Sequence, residues 1–94
     1  MPYMLVRHKV RDLAKWRPLF DTHASVRREF GFKGAQVFRN ADNPNELVIL
    51  FEVQDLERAR QFSQSDNLRE VMERAGVTDL PDIFLLEEEA KTSA

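Results

Sequence analysis

Five consecutive apolar residues, Leu47-Val48-Ile49-Leu50-Phe51, constrain this chain more than any other feature. They lie in a stretch, 47–53, rich in the branched and aromatic residues that favour strands. Successive strand side chains point to opposite faces, so this strand is apolar on both. A strand wetted on one side alternates apolar with polar residues instead. The run Ile83-Phe84-Leu85-Leu86 repeats the pattern near the other end of the sequence. Whatever sheet these two strands enter needs cover on both faces.

The remaining elements say how much cover the chain itself provides. Residues 3–10 read as a strand, with Met4, Val6, His8 and Val10 on one parity and Tyr3, Leu5, Arg7 and Lys9 on the other. Asp12 is a candidate N-cap for a helical pattern running to Phe30, which Gly31 closes in the left-handed conformation. Pro18 suits only the first turn, so the helix proper is expected to begin near Arg17. Residues 33–39 form a second strand, and the turn formers at 40–45 link it to the third as a hairpin. Asp55 caps a helix carrying Leu56, Ala59 and Phe62. Asn67 and Glu70 have capping-box spacing before a helix that presents Leu68, Val71, Met72 and Ala75, and Gly76 ends it. Pro81 opens the last strand.

The predicted fold class is therefore α+β, ferredoxin-like, in the order β-α-β-β-α-α-β: a four-stranded antiparallel sheet with helices on one face. One domain spans 1–88, and 89–94 form a frayed polar tail. Helices on one side leave the second apolar face bare. A two-fold pairing with a second copy is the commonest cover for such a face. At 94 residues the chain buries only about two-thirds of its unfolded surface, so a partner would also add stability.

Composition narrows the function classes. Apolar residues are 43% and charged residues 32% of the chain, a profile of soluble globular proteins. There is no membrane-length apolar run and no signal-peptide pattern at the N-terminus, and we expect a cytoplasmic protein. Cysteine is absent, which removes disulfides, thiolate metal sites and a cysteine nucleophile. The net charge of −2 is spread along the chain, without the basic block that nucleic acid or anionic lipid would require. No glycine-rich phosphate loop, nucleophile elbow or metal-ligand spacing occurs. Neither a metal nor another cofactor is expected.

The residues that stand out are polar ones on apolar faces. On a helical wheel, Leu19, Phe30, His23, Trp16, Arg27, Phe20, Leu13 and Ala24 fall within roughly 140°. His23 and Arg27 thus sit one turn apart inside the buried stripe, and Trp16 precedes His23 on it. Buried polar groups need partners, and a single such histidine is more often a hydrogen-bonded core residue than a catalyst. Arginine, likewise, buries its stem while its head reaches solvent. His8 shares its parity with Met4, Val6 and Val10. If that parity faces the helices, His8 and His23 border one cavity; if it faces a partner sheet, they are apart.

The opening strand Tyr3-Met4-Leu5-Val6-Arg7-His8-Lys9-Val10, the segment from Asp12 through Trp16 and Pro18 to His23, and the hairpin from Phe38 to Glu46 resemble the dimeric α/β-barrel superfamily. Within it, the chain is most similar to small members near the antibiotic-biosynthesis-monooxygenase-like group. The resemblance implies that two subunits join their sheets into a barrel with helices outside. Its members include cofactor-free oxygenases of phenolic or polyketide-like substrates, haem-degrading enzymes, isomerases and proteins without known activity. The Asn, Trp and His of the haem-degrading branch do not carry over, because Trp16 and His23 share one helix here.

Two functions follow as expectations. In the first, an enzyme binds a small aromatic or phenolic ligand among Trp16, Phe20 and Phe62. His23, with His8, moves a proton, and Arg27 stabilises the resulting oxyanion; oxygenase and isomerase remain equally open. In the second, a non-catalytic homodimer binds a metabolite or a protein, and His23 and Arg27 are structural, paired with a carboxylate such as Glu52. A cavity of about 300 Å³ or more at His23 would favour the first, and a closed, fully paired interior the second.

Overall fold

The computed structural model describes residues 2–93. Its elements are β1 (Tyr3–Lys9), α1 (Leu13–Thr22), α2 (Ala24–Glu29), β2 (Phe32–Asn40), β3 (Asn43–Val53), α3 (Leu56–Ser63), α4 (Asp66–Arg74) and β4 (Asp82–Leu86). The order is the expected one, with the first helical segment divided at His23. All strand pairs are antiparallel, in the spatial order β2-β3-β1-β4. Met1 and Ala94, at the ends of the expected domain and tail, lie outside the described residues.

Local chemistry sets most boundaries. Asp12 caps α1 by accepting from the Ala14 N–H, and Asp55 caps α3 by accepting from Glu57 and Arg58. Gly31 and Gly76 end α2 and α4 at φ of 85° and 82°, where any side chain would be strained. Three boundaries differ from expectation. Pro18 lies inside α1, which begins at Leu13 because the Asp12 cap fixes its first turn. Ser65, not Asn67, caps α4, its hydroxyl accepting from the Leu68 N–H; this leaves the Asn67 side chain for another partner. Finally, β3 starts at Asn43 and contains Pro44, so the β2–β3 link is only Ala41-Asp42. Asn40 and Asn43 shape this turn, their side-chain oxygens accepting from the backbone N–H groups of Asp42 and Asn45.

The register separates the two faces. Met4, Val6 and His8 lie opposite Phe51, Ile49 and Leu47, and this row faces the helices. With Phe32, Val53, Trp16, Ala59, Phe62 and Ala75 it forms the core. The other face carries Tyr3, Leu5, Val48, Leu50, Phe38, Phe84 and Leu86. Phe38 and Phe84 are 52% and 54% exposed, so both sides of β3 and β4 are apolar but only one is covered. At one end of the bare face Arg7 bonds Asp82 (2.7 Å), Glu46 (2.8 Å) and Asp79 (3.2 Å).

Candidate ligand site

His8 is the third residue of the helix-facing row of β1, so the strand's pleat delivers its imidazole under the helices; it is 3% exposed. Its ring meets Trp16 edge-on at 6.0 Å, and Trp16 stacks on Phe20 at 4.7 Å. The aromatic row continues to Phe51, 6.1 Å from Phe20. Burial pushes the His8 pKa below its ordinary value of 6.5, against the opposing pull of Asp79. His8 Nδ1 is buried without any hydrogen-bond partner. Such groups are rare, and each calls for an explanation.

The break between α1 and α2 positions the next two groups. Helix ends leave carbonyls without helical donors, and Phe20's accepts from Arg27 Nη1 at 2.9 Å. The Arg27 guanidinium lies 3.9 Å from the centre of the Phe20 ring, a cation–π contact. Arg27 is 8% exposed and forms no ion pair among the described residues; the expected carboxylate, Glu52, lies on the opposite face of the sheet. Burial lowers its pKa to about 10, with Asp21 opposing. His23, at the break itself, is 7% exposed. Its Nε2–H donates to Asn67 Oδ1 at 2.7 Å, and its ring packs against Phe62 at 5.7 Å.

These elements enclose one cavity. His8, His23, Trp16, Phe20, Arg27 and Phe62 all line it, so the two histidines share a space between sheet and helices. Its volume is about 50 Å³, room for a water molecule and well short of the several hundred Å³ that drug-sized ligands occupy. The outer wall is α4, through Leu68, Val71 and Met72, all only half-buried. No α4 residue is fully buried, so this wall is the weakest side of the enclosure. The interior is thus nearly filled but not fully paired.

Asn67 was missed at the level of sequence because its spacing to Glu70 suits a capping box. Ser65, two residues earlier and itself able to cap, was the available signal. Among the described residues, no three His, Asp or Glu side chains gather as a metal site would. Nor is any helix among them long and apolar enough to cross a membrane.

The fold has close counterparts among solved structures. One is an antibiotic biosynthesis monooxygenase, 13% identical, with 96% of this chain and 100% of that one aligned at a TM-score of 0.69. SnoaB, a cofactor-independent oxygenase from Streptomyces nogalater, is 16% identical over 99% and 97% of the two chains, at 0.75. This chain has the antibiotic-biosynthesis-monooxygenase-like fold. Rv0793 from Mycobacterium tuberculosis shares it, with 18% identity over 99% of this chain and 100% of its own and a TM-score of 0.68. No family model and no curated protein matches the sequence. At these identities the antibiotic-biosynthesis-monooxygenase-like likeness is one of architecture, and residue roles must come from the site itself.

Proposed function

We propose that the protein is a homodimeric, cofactor-independent oxygenase of small phenolic compounds, with its site in the cavity between sheet and helices. The observation that carries this reading is the unpaired Nδ1 of a buried histidine facing an aromatic-lined cavity with an uncompensated guanidinium beside it. A neutral His8 can take a phenol's proton, since burial keeps it unprotonated at neutral pH. Arg27 then stabilises the phenolate oxygen. Phenolate charge spreads onto the ring, where a carbon adds dioxygen, the oxidant. The proton held by His8 passes to the peroxide. Loss of water from the ring hydroperoxide, with removal of the ring hydrogen, leaves a quinone. One atom of O₂ ends in the product and the other in water. His23 and Asn67 hold α4 over the site, and α4 moves outward to make room for the substrate's ring. The bare sheet face closes against a second copy.

Oxygen uptake with a panel of phenols and hydroquinones tests the reading. Uptake with at least one compound is expected, falling by about 10²-fold or more in His8→Leu. No uptake with any compound, or an unaffected variant, would overturn it.

The 50 Å³ volume favours a second reading, a non-catalytic binding protein whose cavity opens only to its partner molecule. Saturable binding of a phenol without oxygen uptake or isomerisation would decide for that one.

A further inference from the structure

Arg27 borders two spaces. Besides the internal cavity, it lines a surface groove of about 170 Å³ between α2 and the start of β2, with Ala24, Arg28, Lys33, Gly34 and Ala35. Arg27 and Phe51 line both, so they form the wall that separates groove from cavity. A register shift between Phe32 and Gly34 breaks the strand's alternation here, beside Lys33. A side chain built at Gly34 would meet nothing within 4 Å, so the opening is unfilled.

The charge of this groove has one sign. Arg27, Arg28 and Lys33 line it and no carboxylate does, in a chain whose net charge is −2. Asp21, the acidic group that acts on Arg27, already pairs with Arg17 at 3.1 Å. One of the five guanidinium donors of Arg27 bonds the Phe20 carbonyl. A buried cation without an anion is costly, and an anion arriving through the groove would remove that cost.

We propose that the groove binds the carboxylate of an aromatic hydroxy acid, and that Arg27 selects such acids over neutral phenols while their ring passes into the cavity. This rests on the reading of the cavity as the ligand site; with such acids Arg27 holds the carboxylate instead of the phenolate oxygen, whose charge is then balanced by the protonated His8. A planar monoanion fits because a guanidinium fork pairs with it in two parallel bonds, and its single charge balances one buried cation. Turning the Arg27 side chain toward the carboxylate would also open the wall between the two spaces.

The test is calorimetric titration with 4-hydroxyphenylacetate and with its methyl ester. The acid is expected to bind roughly tenfold or more tighter. Arg27→Met should reduce that ratio to near one, and Arg27→Lys should restore part of it. Should Arg27→Met fail to fold, the surface double variant Arg28→Gln/Lys33→Gln should lower the ratio about threefold. Equal affinities, binding of neither compound, or a ratio unchanged in these variants would overturn the proposal. Competition by inorganic phosphate as strong as by acetate would overturn the carboxylate assignment. Oxygen uptake separates this from the oxygenase reading. Selective acid binding without uptake sinks only the latter; equal uptake with acid and ester sinks only the former.

Discussion

Replacing His8 with leucine should make the protein more stable. The side chains are similar in volume, and the site is 3% exposed among Met4, Val6 and Leu47. The change removes a buried Nδ1 that has no partner. An unsatisfied buried polar atom costs about 1–3 kcal/mol, and some of that is returned through imperfect packing, so a net gain of about 1–2 kcal/mol is expected at pH 7.5. For a domain of this size that is a rise of about 4–16 °C in Tm. The pH dependence sharpens the test. Folded His8 titrates below its ordinary value of 6.5. As pH falls through 6.5 the unfolded chain therefore takes up a proton that the folded chain refuses. Wild-type stability should decline below about pH 6.5, by up to ~1.4 kcal/mol per unit, until folded His8 also titrates. The leucine variant should lack that component. Urea unfolding at pH 7.5, 6.5 and 5.5, at one fixed protein concentration, measures both effects. A variant less stable than wild type at pH 7.5, with an undiminished slope below 6.5, would refute the reasoning. It would mean that His8 is an ordinary satisfied core residue. A stabilised variant without activity would instead identify a group kept at the expense of stability.

Asn67→Ala removes the acceptor of His23 Nε2–H and should cost about 1 kcal/mol, with amides of α4 exchanging about fivefold faster and those of β1 and β3 unchanged. Hydrogen exchange resolved by residue checks this. Phe38→Asp combined with Phe84→Asp places charge on the bare face, and light scattering should then report a single-chain mass where wild type gives twice that. Glu46 is held below its ordinary 4.5 by hydrogen bonds from Asn40 and Arg7. Asp79 is held below its own value by the Lys9 N–H and Arg7, despite the opposing effect of partial burial. Both contributions are present above about pH 4.5 and are lost as pH falls, so urea midpoints between pH 5 and 3 should drop less steeply in Arg7→Met than in wild type.

The two apolar periodicities explain how much was legible beforehand. Alternation in β1 put Met4, Val6, His8 and Val10 on one face, and the helical wheel put Trp16, His23 and Arg27 on another; both sets are buried, and they meet. What the wheel could not show is the break at His23. It assumes one uninterrupted helix, whereas the Phe20 carbonyl bonds the Arg27 side chain across two. Asn67 was hidden for a different reason. Cap residues compete, and the choice between Ser65 and Asn67 depends on where the chain enters α4, a tertiary matter. The Arg7 cluster gathers carboxylates from β3, β4 and the loop before β4, which no local pattern relates. The size of the cavity, finally, depends on how closely α4 settles, and half-buried Leu68 and Met72 look the same in sequence whether the space beneath is open or shut.

The first strand lies in the middle of the sheet, with the last strand hydrogen-bonded beside it: Tyr3 pairs with Leu86 and Met4 with Leu85. During synthesis β1 leaves the ribosome long before either neighbour exists. Until β4 arrives, one edge of β1 stays open to any other extended chain. Closing the long loop between Tyr3 and Leu86 should make folding slower than that of a helical bundle, whose contacts are local. A nascent chain stalled before residue 82 would present both an unpaired central edge and an uncovered apolar face, the combination that chaperones recognise and aggregates exploit.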